Sequence, residues 1–336
     1  MRDILHYGLV EQLECSTPLS SAVVLYHTKF SVAIRSESLS ALSISRLVRA
    51  SSRFNPAKDQ TSPTSVASNN KAGTMANLFL KQAKQYVATR PNYPPELFDF
   101  IASKTSRRDM AWDVGTGNGQ AAATLSKMYK AVVGTDTSAQ QLAYATRPTN
   151  VRYVHTLPDL PVEGIHAAVA PPASVDLITV AQAFHGLDLP HFYAQARSVL
   201  RPKHGVLAVW CYTKPYINTA LDTLLWGLFH ASEPYWEPSR RMIEDEYRSI
   251  DFPFDPVEGE THTGPFEFST QRQMNLNDYL MYITSWSAYQ TAKEKGVELL
   301  DEAIVQEFTA AWGADAMEVK MATYRIFLRI GKVRPE

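Results

Sequence analysis

The sequence predicts a doubly wound, mostly parallel α/β sheet, and three observations carry that prediction. Short apolar runs alternate with polar, helix-compatible stretches five times between residues 110 and 212, the order expected of parallel strands joined by crossover helices. The first run leads straight into a glycine-rich turn, Asp113-Val-Gly-Thr-Gly-Asn-Gly119. The second run, Ala131-Val-Val-Gly-Thr-Asp136, ends in an acid. Right-handed crossovers would bring every strand C-terminus to one edge of the sheet, where ligands of such folds sit.

The elements follow in order. Proline favours the first helical turn, so a helix is expected from Pro94 or Pro95 to Ser103. Met110–Val114 reads as a buried strand, and residues 120–130, with apolar Ala123, Leu125 and Met128 among polar positions, as a helix packed on the sheet. Ala131–Asp136 is the second strand, after which Ser138 caps a helix to about residue 146. Val151–His155 is the third strand and residues 175–180 the fourth. Residues 189–200 form a helix, and residues 205–212, centred on Val206-Leu-Ala-Val-Trp210, the fifth strand. Beyond Tyr212 the pattern changes to an aromatic-rich helix over 218–233 and then irregular, proline-bearing sequence through Pro265. Phe266–Met274 is expected as a sixth strand, Leu276–Thr284 and 297–312 as helices, and 321–330 as the last strand. Residues 216–255 are read as a lid inserted after the fifth strand, and no internal repeat is visible.

Composition bounds what this fold can do. The chain has 336 residues, 45% hydrophobic and 20% charged, enough for one large α/β domain with an inserted lid or for two modest domains. A formal net charge of -1 offers no general attraction to nucleic acid or an anionic membrane. No apolar stretch approaches the roughly 18–20 residues of a membrane span. The two cysteines, Cys15 and Cys211, lie far apart, which argues against a disulfide scaffold or a structural zinc site and fits a reducing compartment. No metal site is expected.

The first 74 residues stand apart. From Ser16 to Thr74 the chain is rich in Ser, Thr and Ala, carries Arg35, Arg46, Arg49 and Arg53, and has only Glu37 and Asp59 as acids. Two readings stay open: an organelle transit segment, for which Asp3, Glu11 and Glu14 are unusual, or a compact domain whose working start is Met75. On either reading residues 75–336 carry the fold. The expected location is the cytoplasm, or a plastid or mitochondrion if residues 1–74 are a transit segment.

The glycine turn narrows the ligand. Glycines at a strand-to-helix turn let a ligand approach the backbone closely. A dinucleotide fingerprint would place a further glycine at position 120, which is Gln120, so the spacing is GxGxG. Asp113, two residues before the first glycine, would repel a pyrophosphate but suits a ligand bearing an ammonium and a sulfonium. The plainer alternative is that Asp113 only caps the turn. Asp136, at the end of the second strand, can accept both hydroxyls of a ribose, or can serve as a helix cap shared with Ser138.

From about Gln85 to Tyr212 the chain resembles the type 11 class I methyltransferases, especially their small-molecule branch that includes trans-aconitate methyltransferases. The resemblance rests on Tyr86-x3-Arg90-Pro91-x-Tyr93-Pro94, Asp113-Val-Gly-Thr-Gly-Asn-Gly119, Val133-Gly-Thr-Asp136, Asp176-Leu-Ile and Ala181-Gln-Ala-Phe-His185, and continues more weakly through Ser285-Trp-Ser-Ala-Tyr289. It covers none of residues 1–74. It implies a Rossmann-like sheet of seven strands with the last antiparallel, and S-adenosyl-L-methionine as cofactor. It further implies that Gly115, Thr116, Gly117 and Gly119 wrap the methionine part while Asp136, with Thr137 beside it, holds the ribose. Three departures stand out. Gly186 occupies a place where many members have Trp, which opens the wall near the methyl group; Pro202-Lys-His-Gly205 replaces a proline-glycine-glycine turn; and the adenine-binding acid after the third strand is absent, with His155, Thr156 and Leu157 there and Asp159 two residues on.

Methyl transfer from a sulfonium is an in-line displacement, so proximity and orientation supply most of the catalysis. His185 is the catalytic candidate, as a base or as a group that orients an acidic acceptor, the alternative being a loop histidine bonded to Asp188. Gln182 is placed to touch the methionine portion. Tyr86 and Arg90 lie one helical turn apart, and Arg90 can pair with the cofactor's carboxylate or an acidic acceptor, or form a structural salt bridge under the lid. Tyr93, Trp226, Tyr235, Trp236, Trp286 and Tyr289 supply aromatic surface near the expected mouth. The expected activity is methyl transfer to a small-molecule acceptor, with a carboxylic acid favoured by the resemblance. The rival readings are a non-catalytic adenosylmethionine-binding protein and a nicotinamide-dependent oxidoreductase, the latter disfavoured by Gln120 and Asp113. Nucleic-acid and membrane partners are not expected.

Overall fold

Along the fifth strand, Val206, Ala208, Trp210 and Tyr212 belong to one hydrophobic cluster while Leu207, Val209 and Cys211 belong to another. That period of two is what a strand buried on both faces requires, and it sets the layers of the molecule. The computed structural model describes residues 90–334. The expected boundary at residue 75, the segment 1–74 and Tyr86 lie outside the described residues.

Seven strands form one sheet in the order β3-β2-β1-β4-β5-β7-β6. They are β1 Met110–Val114, β2 Ala131–Asp136, β3 Val151–His155, β4 Leu177–Ala181, β5 Val206–Tyr212, β6 Phe266–Met274 and β7 Lys320–Lys332. Pairs β1·β2, β1·β4, β2·β3 and β4·β5 are parallel, whereas β7 runs antiparallel to both β5 and β6. This is the Rossmann-like, seven-stranded arrangement expected, with the last strand in sequence as the antiparallel one. Buried Asp176 ties the sheet at its base, accepting from the backbone N–H of Asp109 and Met110 at 2.7 and 2.9 Å and from Arg201 Nε at 2.5 Å.

One face is covered by helices α1 Pro95–Ser103 and α2 Gln120–Leu125 together with four later helices. The other carries α4 Val162–Ala168, α5 Leu189–Val199 and the buried residues Ile243, Tyr247, Ile250, Phe252 and Phe254. The four later helices are α6 Thr219–Ala231, α8 Leu276–Thr284, α9 Ser287–Glu294 and α10 Glu302–Trp312. The segment expected as a lid, 216–255, therefore divides. Its first helix, α6, buries Leu221, Leu225 and Leu228 against the first cluster, and its second half packs on the opposite face.

Several element ends differ from expectation for local reasons. The helix expected over 120–130 stops at Leu125, because the Asn150 amide donates to the carbonyls of Ser126 and Tyr129 at 2.8 and 3.0 Å and holds them in tighter turns. The helix α3, Ala139–Ala143, begins as expected with the Ser138 hydroxyl accepting from Gln141 N at 3.2 Å, but ends three residues early. The helix expected from 297 starts at Glu302, where the Asp301 carboxylate accepts from Ile304 N. Three helices had no counterpart in the sequence reading. One is α4, with Gly164 inside it; another is the four-residue α7, Arg241–Glu244; the third is α9, which buries Ala288, Tyr289 and Ala292 and is followed by Gly296 at φ +75°.

Candidate functional site

The C-terminal ends of β1, β2, β4 and β5 meet at one edge, and the glycine turn, Asp113, Asp136, Gln182 and His185 lie on or just past these strand ends. The turn 115–119 leaves β1 with all three glycines at positive φ, so no side chain is tolerated without strain. It is pinned from below and from the side. Thr116 N donates to Thr135 O at 2.9 Å, and Gly117 N donates to Asp136 Oδ2 at 2.8 Å. The other oxygen, Asp136 Oδ1, accepts from Ser138 N at 2.7 Å. Asp136 is half-buried and braces both the glycine turn and the start of α3, so the capping alternative is realised alongside any ligand contact.

Asp113 lies beneath the turn with no exposed surface. Its two oxygens accept from the hydroxyls of Thr116 at 2.5 Å and Thr179 at 2.7 Å. Burial pushes its carboxyl up to about 6, against the pull of those two hydroxyls. The group is thus mostly ionised near neutrality but speaks to the turn only through Thr116.

The glycines differ in what surrounds them. A Cβ at Gly117 would meet only Gln141 Oε1, at 3.9 Å, and would otherwise point into open space. A Cβ at Gly119 would lie 2.1 Å from Tyr153 Oη and 2.8 Å from its Cζ. Tyr153 pairs in register with Gly134 on β2, whose own Cβ would come within 2.8 Å of the same ring. Two glycines therefore make room for one tyrosine, whose hydroxyl burial pushes up to about 12. The sequence reading placed Tyr153 in a strand and gave it no role; its pairing with Gly134 was the signal.

On the β4 side, Gln182 has φ +56° and fastens β4 to β5. Its amide accepts from Tyr212 N at 2.7 Å and donates to Tyr212 O at 3.3 Å. His185 follows on a single 3-10 turn, Phe184–Gly186. Its partner is not Asp188, as the alternative had it, because Asp188 caps α5 by accepting from His191 N. Instead Nδ1 lies 3.3 Å from the hydroxyl of fully buried Tyr247. Burial first, and the Arg240 charge second, lower the imidazole to about 4, so it is neutral at physiological pH. Gly186 is exposed, and a Cβ there would meet nothing within 4 Å, consistent with an open wall.

Arg90 donates to Ser285 O at 3.0 Å and lies 5.4 Å from the centroid of the Tyr282 ring, which ties it to the segment that leads into α9. Thr137 is exposed, and its carbonyl lies 3.0 Å from His155 Nε2. Of the aromatics, Tyr93 packs edge-on against Trp210, and Trp236 against Trp286 and Phe229. Tyr289 donates to Glu298 at 2.7 Å. A charged cluster that the sequence reading did not single out completes the edge. Pro238–Arg240 packs against Phe184–Gly186, and Arg240 and Lys214 both face Glu244. Their separation along the chain, 214 to 244, gave no periodic signal.

A family model described as a methyltransferase domain matches residues 112–209. A Dictyostelium discoideum protein described as a methyltransferase is 35% identical over 212 residues, covering 62% of this chain and 75% of that protein. A Saccharomyces cerevisiae protein described as an S-adenosylmethionine-dependent methyltransferase is 25% identical over 233 residues, covering 62% and 79%. A solved structure described as a type II methyltransferase from Anaeromyxobacter dehalogenans superimposes with a TM-score of 0.62 at 30% identity, covering 74% of this chain and 99% of that one.

Proposed function

Since the chain belongs to the S-adenosylmethionine-dependent methyltransferases of the class I fold, we propose that it transfers a methyl group to a small-molecule acceptor, of which a carboxylic acid is the leading class. The observation that carries this reading is a group of neutral and cationic side chains past the ends of the fourth and fifth strands: half-buried, uncharged His185 on a turn packed against Pro238–Arg240, with Arg240 and Lys214 sharing Glu244. A carboxylate oxygen is nucleophilic without losing a proton, so a histidine lowered to about 4 is adequate as an orienting group.

The residues present fit the cofactor. The turn offers backbone approach at Gly117, where a Cβ would fill otherwise open space, and Asp136 stands at the adjoining strand end. In this reading Gly115, Thr116, Gly117 and Gly119 hold the methionine part and Asp136 with Thr137 the ribose. Gln182 walls the far side, and Tyr86 and Arg90 close over it. When bound, S-adenosylmethionine supplies an electrophilic methyl group. Asp113 acts through Thr116, setting a negative charge under the turn that favours a cationic ligand. His185 holds the acceptor by a ring nitrogen while Tyr247 fixes the ring. Residues 75–336 form the catalytic domain, 216–255 cover the acceptor side, and the cytoplasm is the proposed location. Residues 1–74 are a dispensable extension; no helix among the described residues is long and apolar enough to cross a membrane.

The test is transfer of a labelled methyl group from S-adenosylmethionine to parallel panels of small carboxylic acids, phenols and amines. Incorporation into acids, released by mild base as expected of an ester, supports the reading. Incorporation confined to the amines or phenols overturns the acid assignment.

A further inference from the structure

Lys214 is 2% exposed and lies two residues past the end of β5. Its ammonium meets the Glu244 carboxylate and lies 3.6 Å from the centroid of Phe229 and 4.2 Å from that of Trp226. Arg240 Nη2 reaches the same carboxylate at 3.7 Å, its guanidinium stacks 4.8 Å from the Trp236 centroid, and its buried Nε has no hydrogen-bond partner among the described residues. Of the two acids that follow, Asp245 accepts from Ser249 N at 2.7 Å and Glu246 is engaged by Arg248 and Arg325. Two cations thus share one carboxylate among the rings of Trp226, Phe229 and Trp236, beside a histidine that carries no charge.

Burying a cation without its own counter-ion is costly, and a guanidinium whose Nε has no partner can donate to a further carboxylate. The Pro238–Arg240 turn also packs against the turn that bears His185. We propose that Arg240 and Lys214 form the specificity site for a carboxylate group of the methyl acceptor, with Glu244 as the internal counter-ion that holds the two cations in place. This rests on the small-acid reading above. The aromatic walls Trp226, Trp236 and Trp286 suit an acceptor with an apolar body attached to that carboxylate. An acceptor with two carboxylates could anchor one on Arg240 and present the other to the methyl donor.

The test uses the full chain saturated with S-adenosylhomocysteine, titrated calorimetrically with butyrate, succinate and tricarballylate, and with succinamide as the uncharged counterpart. At least one acid is expected to bind and succinamide is not. Arg240→Gln should weaken the acid ten- to a hundredfold, the loss expected of a hydrogen bond to a charged group. Glu244→Gln should tighten it severalfold, because the two cations lose their competing anion. A strut made of the same three residues would weaken in both variants. Cofactor affinity serves as the control for folding; should Arg240→Gln lose it, the oppositely signed Glu244→Gln arm decides alone. Absence of acid binding, or either variant moving against its stated direction, overturns the proposal. If acids are methylated while Arg240→Gln leaves their affinity unchanged, this site falls and the acid reading stands. If only amines or phenols are methylated, both fall.

Discussion

Replacing Gly119 with alanine should cost far more stability than replacing Gly117, although both sit in one five-residue turn. Each glycine has a positive φ, +78° and +57°, where a Cβ costs roughly 1–2 kcal/mol. Gly117→Ala adds nothing further, since its Cβ would meet only Gln141 Oε1 at 3.9 Å. Gly119→Ala drives its Cβ to 2.1 Å from Tyr153 Oη. The ring cannot swing aside cheaply, because Gly134 lies against its Cδ1–Cε1 edge and the Arg147 guanidinium lies over it at 5.8 Å. Overpacking of that kind costs about 1–3 kcal/mol, so the total for Gly119→Ala is about 2–5 kcal/mol. Urea unfolding of both variants measures the difference, and adding Tyr153→Phe to Gly119→Ala should recover part of it by removing the nearest atom. Cofactor binding should sort the other way. Gly117→Ala loses only that backbone cost of about 1–2 kcal/mol yet loses S-adenosylhomocysteine affinity, because its methyl group occupies the open side of the turn. Equal unfolding midpoints for the two alanine variants would refute the account of Tyr153 and its two glycines.

Three further outcomes are expected. Asp136→Ala removes the acceptor for Gly117 N and Ser138 N, and should weaken S-adenosylhomocysteine binding by tenfold or more in calorimetry while costing only about 1–2 kcal/mol of stability. His185 falls from an unfolded value of 6.5 to about 4 in the fold, so the unfolded chain binds the extra proton between those values. Its contribution to stability, about 3 kcal/mol at most, is full above pH 6.5 and is lost as pH falls toward 4; urea midpoints at pH 7 and pH 5 should therefore converge in His185→Gln relative to the parent. Asp113, raised to about 6, contributes with the opposite sign over the same range, and comparison of the two proteins cancels it. Gly186→Trp should leave the unfolding midpoint within about 0.5 kcal/mol of the parent, because a Cβ there meets nothing within 4 Å, while raising the KM for bulky acceptors.

The sheet was legible because its strands are buried on both faces and end at hard punctuation. Met110–Val114, Ala131–Asp136, Val151–His155, Phe266–Met274 and Leu276–Thr284 fall at the residues read from sequence. What escaped was decided by contacts distant in sequence or by weak local signals. Asn150 shortened the helix after the glycine turn from 24 residues downstream. The short helix Val162–Ala168 contains a glycine, and Ser287–Glu294 has no side-chain cap.

The candidate site shows the same division. Asp113, the three glycines, Asp136, Gln182 and His185 were legible because they belong to one strand-turn-strand edge. Their hydrogen-bond partners were less so: His185 turns to Tyr247, 62 residues away, and Gln182 to the backbone of Tyr212. The cluster of Lys214, Arg240 and Glu244 was invisible, since its members come from a strand end, a 3-10 turn and a four-residue helix with no shared periodicity.

The most direct test of the central claim is isothermal titration of the full chain with S-adenosylhomocysteine, with NAD and NADP titrated alongside. Micromolar binding of S-adenosylhomocysteine, weakened in Asp136→Ala and in Gly117→Ala, with neither nicotinamide nucleotide binding, is the predicted result. No binding of S-adenosylhomocysteine, or binding of a nicotinamide nucleotide in its place, would contradict the assignment of the glycine turn and its acids.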